Sequence, residues 1–292
     1  MIRFRLIVGI HLLSFGLLHG QDSGSLQFQL RESFQSSDKK PSPASFTYTH
    51  PKEGKESYLI DAALGLKLLN DPTMSLFIVG EFHKNTLINK EQHVIQGGVA
   101  FEWWTNNNFN VDDKEENSKT SILNLTGKYS NNVKDQIESL QLTGEFTVLF
   151  NRVGRKNDIL PNANNSVGTI FDFQYYPSFG FEVEERLNTK NDSTKGNIVR
   201  GVGKLNLTIV PLPLVLDSSL ELFIDIAMRY DLLNSTKYSD YYHQLFQGGL
   251  NVVLVDRGGK SAKISACYIK GSNLAQGLKE QDFYSLSLKV KI

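Results

Sequence analysis

Nine basic and six acidic side chains share one setting, a stretch in which polar and apolar residues alternate. The basic ones are Arg31, Lys67, Lys128, Arg200, Lys204, Arg229, Lys263, Lys289 and Lys291. The acidic ones are Asp61, Glu81, Glu102, Glu145, Glu221 and Asp225. A period of two sends successive side chains to opposite faces of a β-strand, so these charges gather on one face of the sheet they build. If that face is closed off, the charges need partners, and one outcome is a mesh of ion pairs filling a narrow interior. The other is a polar pore whose charges select solutes. Residue types alone leave both open.

Other constellations carry less. Arg257-Gly258-Gly259-Lys260-Ser261 ends like a phosphate-binding loop, but Leu254 stands where the first glycine belongs, and the setting is turn to strand. It reads as a hairpin turn. His50, His83, His93 and His243 show no HxH or HxxxH spacing, so neither a metal site nor a cofactor is expected. There is no G-x-S-x-G nucleophile elbow, and no catalytic residue is assigned. A hydrolase, the enzymatic alternative, would have to use His83, His93 or His243, which the pattern places on loop rims. Cys267 is the single cysteine, which rules out an internal disulfide and leaves a small strand residue. Five Asn-X-Ser/Thr triplets occur, but Asn124 and Asn206 fall inside alternating stretches, where a glycan acceptor is badly placed.

The chain has 292 residues with 31 basic against 31 acidic side chains, so no nucleic-acid footprint is expected. Mean hydropathy is −0.26. Past the first twenty residues, no apolar run reaches the roughly 18 residues of a spanning helix. At the start, Arg3 and Arg5 precede the apolar run Leu6–Leu18, and Gly20 follows. That order reads as an export signal over 1–20, leaving 21–292 as the working domain.

About a dozen alternating stretches fill this domain. Leu26, Phe28 and Leu30 open the series, followed by 60–68, 76–82, 95–103, 123–129 and 142–150. The segment 168–185 is broken by Pro177, which suits a bulge or bend. Stretches 199–209, 220–230, 246–254 and 262–268 follow, and FYSLSLKVKI closes the chain. Polar segments 35–56 and 105–119 read as long loops. No helix pattern is convincing.

Several of these stretches exceed the five or six residues usual for soluble strands. Strands of about nine to eleven residues or more are what a bilayer crossing needs. An all-β, closed antiparallel transmembrane barrel of about twelve strands is therefore expected, with apolar faces toward lipid and charges lining the lumen. Closure would pair the last strand with the first. Trp103, Trp104, Tyr129, Tyr230 and Tyr284 near strand ends suit interfacial girdles. A soluble exported β-sandwich that binds sugar or protein is the remaining alternative.

The export signal, the Gly- and aromatic-rich strands and the final FYSLSLKVKI together resemble bacterial outer-membrane β-barrels, in texture those of the Bacteroidetes. The last strand is similar to the assembly signal of that class, although it ends in Ile292 where Phe is commoner. The resemblance implies a Gram-negative outer-membrane location, lipid contact, and periplasmic chaperones and barrel-assembly machinery as partners during biogenesis. It implies a porin-like or structural barrel more than any particular solute.

Overall fold

In the computed structural model the described residues are 27–36, 42–49, 56–71, 73–87, 91–105, 117–152, 159–190, 194–216, 218–236, 240–257, 260–273 and 276–292. The export signal expected over 1–20 lies outside them, as do residues 106–116 of the expected 105–119 loop. The strands are β1 (Gln27–Arg31), β2 (Ala44–Thr49), β3 (Ser57–Asn70), β4 (Met74–Asn85), β5 (Gln92–Thr105), β6 (Asn117–Asn132) and β7 (Ile137–Arg152). They continue as β8 (Asn165–Val167), β9 (Phe171–Thr189), β10 (Gly196–Pro211), β11 (Leu220–Asn234), β12 (Tyr242–Arg257), β13 (Lys260–Asn273) and β14 (Leu278–Lys291). A single helical turn, α1 (Pro213–Leu216), links β10 to β11.

All of these strands belong to one antiparallel sheet that closes on itself, because β3 pairs both with β4 and with the β1–β2 side. One closed sheet excludes the two-sheet sandwich. The fourteen strands fill twelve positions around the ring. The short β8 is a flap on β9, and β1 and β2 share one position beside β3. Long strands of 12 to 19 residues reach past the nine to eleven that a bilayer needs.

The shared position corrects the expected 35–56 loop. Arg31 faces Ala63 on β3 and Ser45 faces Asp61, so the chain leaves β3 after Arg31 and returns at Ser45 with the single place opposite Ala62 between them. Glu32 N donates to Ser42 O at 2.8 Å and closes the neck of this excursion, which turns into the barrel. Beyond it, Ser45 and Thr47 face inward while Phe46 and Tyr48 face outward, a strand alternation hidden among the prolines of the segment. Ring closure is corrected accordingly. β14 pairs with β2 through Leu288–Phe46, Lys289–Ser45 and Val290–Ala44, and meets β1 only where Leu30 and Ile292 exchange hydrogen bonds of 3.1 and 3.3 Å.

Pro177 does not interrupt β9, which runs through it opposite Leu205 of β10. The break falls on the other side. Pairing of β7 with β9 stops at Phe146–Phe179, since Pro177 has no N–H to offer the next rung. Thr147 Oγ1 donates to Pro177 O at 2.8 Å, and Asn162 wedges between the strands by donating from N to Tyr175 O at 2.8 Å. At the other strand ends, turns are tight. Arg257 and Lys260 pair across two residues, as a hairpin requires. In the β3–β4 turn Asp71 Oδ1 accepts from Thr73 N at 2.8 Å and Thr73 Oγ1 at 2.6 Å, which holds the Asp71 carboxyl below its ordinary range.

The outer wall is apolar and exposed. Leu64, Ile78, Ile95, Val99, Leu142, Phe146, Phe179, Leu222, Ile224, Phe246 and Leu286 all stand on it. Tyr48, Tyr129, Tyr230, Tyr242 and Tyr284 ring one end of this belt, and Trp103, Phe171 and Phe173 lie toward the other. No helix among the described residues is long and apolar enough to cross a membrane. The interior is polar with two apolar clusters. Phe34, Ala63, Phe77, Val79 and Ala100 form one, and Leu59, Phe223, Cys267, Ile269 and Phe283 form the other.

Inward glycines mark the corners of the ring. A Cβ on Gly249 would stand 2.2 Å from Ala266 O, which is strand backbone and cannot step aside. Gly249→Ala is therefore expected to prevent closure between β12 and β13. Gels run with and without heating should show loss of the compact, fast-migrating form, while Gly127→Ala, on an outward position with open space, should retain it.

Candidate functional site

The lumen is divided between a filled half and an open half. In the filled half, the segment after β1 turns inward and docks on β3–β6. Phe34 N and Ser33 Oγ both donate to the Glu81 carboxylate at 3.0 Å. Thr126 Oγ1 donates to Phe34 O at 2.9 Å, and Asn124 Nδ2 donates to Ser36 O at 2.8 Å. The Phe34 ring lies 5.3 Å from that of Phe77, with the Arg31 guanidinium over its face at 3.6 Å. Away from water, such a cation–ring contact is worth about 2 kcal/mol. Gly65 supplies the space, because a Cβ there would meet the Phe34 ring at 2.1 Å.

Glu81 is the hub of this half. Besides the two donors from the turned-in segment it takes Lys128 Nζ at 2.9 Å and His83 Nε2 at 3.2 Å. Lys128 also donates to Gln96 Oε1 at 2.6 Å, and Gln96 in turn binds Ser130 and Gln141. His83 Nδ1 contacts Asp61. With both ring nitrogens on carboxylates, His83 has none left to take a proton from a nucleophile. Its placement corrects the expected loop rim, since His83 is fully buried inside the barrel. His93 stands on the outer face against Phe82, with ring centroids 5.3 Å apart. His243 is 3.7 Å from Asp231 inside the wall. The three histidines do not converge.

A second network occupies the wall of β9–β11. Arg200 reaches Glu184 at 3.0 Å, Asp231 at 2.9 Å and Glu182 at 3.8 Å. Arg229 Nε donates to Glu182 Oε1 at 2.8 Å. These pairs stand toward the end of the barrel that carries Asn273 and Gln276. There the segment into β14 leans across the lumen, with Gln92 Nε2 donating to Glu280 O at 3.2 Å and Asn132 Nδ2 to Gly277 O at 3.4 Å. The ion pairs, the Leu59–Phe283 cluster and this segment fill that end.

The open half is a cavity of about 420 Å³ along β9–β14. Its lining runs from Lys263, Lys289 and Lys291, at the end holding Ile292, to Arg229, Asn273 and Gln276. Lys263 Nζ donates to both oxygens of Glu221 at 2.8 and 2.7 Å. Lys204 pairs with Glu145, and Asn206 Nδ2 donates to Asp225 at 2.7 Å. Lys289 Nζ sits 4.3 Å over the Phe223 ring.

All fifteen charged residues singled out by alternation stand on the inward parity. Arg31, Glu81, Glu102, Lys128, Glu145, Arg200, Arg229 and Lys289 are buried, while Asp61, Lys67, Lys204, Glu221, Asp225, Lys263 and Lys291 are half-buried. Glu102 accepts from Trp104 Nε1, and Lys67 Nζ lies 5.3 Å from the Phe77 ring centroid. The structure divides them between the two halves rather than gathering them at one site. Glu182, Glu184 and Asp231 are not among the expected lining residues, although each continues an inward parity that the sequence shows. Phe34 and Ser33 had no such signal, because their role begins where strand alternation stops. Among the described residues no group of three or more His, Cys, Asp or Glu side chains could hold a metal ion.

No protein-family model matches this chain, and a comparison with curated proteins finds no match.

The docking of Phe34 over Gly65 can be measured. Gly65→Ala should destabilise the folded barrel by about 1–3 kcal/mol in denaturant titrations, the usual cost of overpacking. In a Phe34→Ala background the same change should cost little, because the ring that a Cβ would strike is gone. Equal cost in both backgrounds would place the clash elsewhere.

Proposed function

We propose that this chain is a non-enzymatic outer-membrane β-barrel of a Gram-negative bacterium, similar to those of the Bacteroidetes. Residues 1–20 would export it, and its lumen would pass small polar solutes. The observation that carries the reading is the inversion of the usual order, with large apolar side chains exposed around the wall and paired charges inside. Lipid is the solvent that rewards such an exterior, and a closed sheet is one of the two structures whose backbone satisfies itself there. The tyrosine ring at one end and Trp103, Phe171 and Phe173 toward the other suit two interfaces. Periplasmic chaperones and the barrel-assembly machinery would act on it through the last strand, FYSLSLKVKI.

The channel reading rests on the cavity beside β9–β14 and treats the turned-in segment as its partial plug. Purified protein in planar bilayers should give discrete conductance steps, and removing residues 33–41 should enlarge them. Silence of both proteins across voltage and salt would leave a structural barrel. Orientation follows from Gln27, which opens β1, and Ile292 lying on one side of the ring, which would be periplasmic. An epitope in the β9–β10 connection should then be reached by antibody on intact cells, and one between β12 and β13 should not.

A further inference from the structure

We infer that the open half of the lumen is a binding site for a compact organic anion with an apolar body, its anionic group held by Arg229. Arg229 is 2% exposed and lines the cavity. Its Nε is taken by Glu182 at 2.8 Å and its Nη2 by Asn273 at 3.3 Å. Nη1 has no hydrogen-bond partner among the described residues. A buried guanidinium N–H without an acceptor, on a side chain that lines a cavity, is a donor waiting for one, and a charged acceptor makes the strongest bond. Carboxylates in the same cavity are engaged already. Glu145 takes Lys204, Glu221 takes Lys263, Asp225 takes Asn206, and Glu32 takes Gln276 Nε2 at 3.3 Å.

The wall next to Arg229 is apolar. Ala227 is the next inward residue of β11, and Leu245 is its partner on β12. Phe223 lies further along the same inward row, and all three line the cavity. A volume of about 420 Å³ falls within the roughly 300–1,000 Å³ of small-molecule sites. At the Ile292 end Lys263, Lys289 and Lys291 line the approach and would draw an anion inward. The site belongs to the folded barrel and does not require that the barrel conduct.

Benzoate is the probe, titrated calorimetrically into the detergent-folded mature protein with protein-free micelles as blank. Benzyl alcohol, benzylamine and acetate separate the contributions of ring and charge. Benzoate should bind saturably, and the other three at least tenfold more weakly. Arg229→Gln should weaken benzoate at least tenfold, with folding checked by heat-dependent gel migration. Should that variant not fold, Ala227→Leu, which keeps the guanidinium and fills the space before it, should weaken benzoate by the same factor. Benzyl alcohol or benzylamine binding as tightly as benzoate, no saturable binding at all, or unchanged affinity in a folded variant would overturn the site. Conductance does not enter these readouts, so a silent bilayer experiment leaves the result standing.

Discussion

The filled half of the barrel is organised around one buried carboxylate. Glu81 accepts from the backbone of Phe34, the hydroxyl of Ser33, the ammonium of Lys128 and the ring of His83. A carboxylate away from water is costly unless its lone pairs are filled, and here four donors from three parts of the chain fill them. The turned-in segment is thereby part of the wall chemistry. Without it Glu81 keeps Lys128 and His83 but loses two of its four donors, and Phe34 no longer covers Ala63, Phe77 and Val79.

That arrangement explains why one half of the lumen is closed and the other open. On β3–β6 the inward positions alternate small or apolar residues with polar ones: Ala63, Gly65, Phe77, Val79 and Ala100 leave a hollow that a phenyl ring fills. On β9–β14 the inward positions carry Lys204, Asp225, Arg229 and Lys289, long or charged groups that bind along the wall to strands one to three places away and leave the middle free. The same polar lining thus yields a packed interior where one aromatic ring arrives and a cavity where none does.

Much of this is legible in the sequence. Alternation is a strong signal when both faces are chemically distinct, so Lys289 and Lys291 against Leu288 and Val290 announced which way β14 faces. The ring of twelve followed from the same pattern. What alternation cannot announce is a partner from outside the strand. Phe34 and Ser33 lie in a segment without period, and only the gap at Gly65 together with the unpaired demand of Glu81 explains their position. Ser45-Phe46-Thr47-Tyr48 does alternate, but it is too short, and too near Pro41, Pro43 and Pro51, to outweigh a loop reading. Pro177 suggests a bulge or bend because proline removes a rung. It does remove one, but only on the β7 side, and the β10 ladder carries the strand straight through.

The split first position has a consequence for how the ring comes together. Elsewhere neighbouring strands share long ladders, as in the run from Asn117–Arg152 to Asn132–Ile137 between β6 and β7. The join between β14 and the β1–β2 pair holds three paired residues and the Leu30–Ile292 exchange. It also links residues at nearly opposite ends of the chain, so its loop-closure entropy is the largest in the fold and its enthalpic return among the smallest. Local hairpins form first in such a landscape, and this join last. The turned-in segment hangs from the same short strand pair, but that pair is held by β3 and the segment docks on β4 and β6, so its contacts do not wait for the seal. Sealing and filling are separate events, and an unsealed ring already holds its phenyl ring in place.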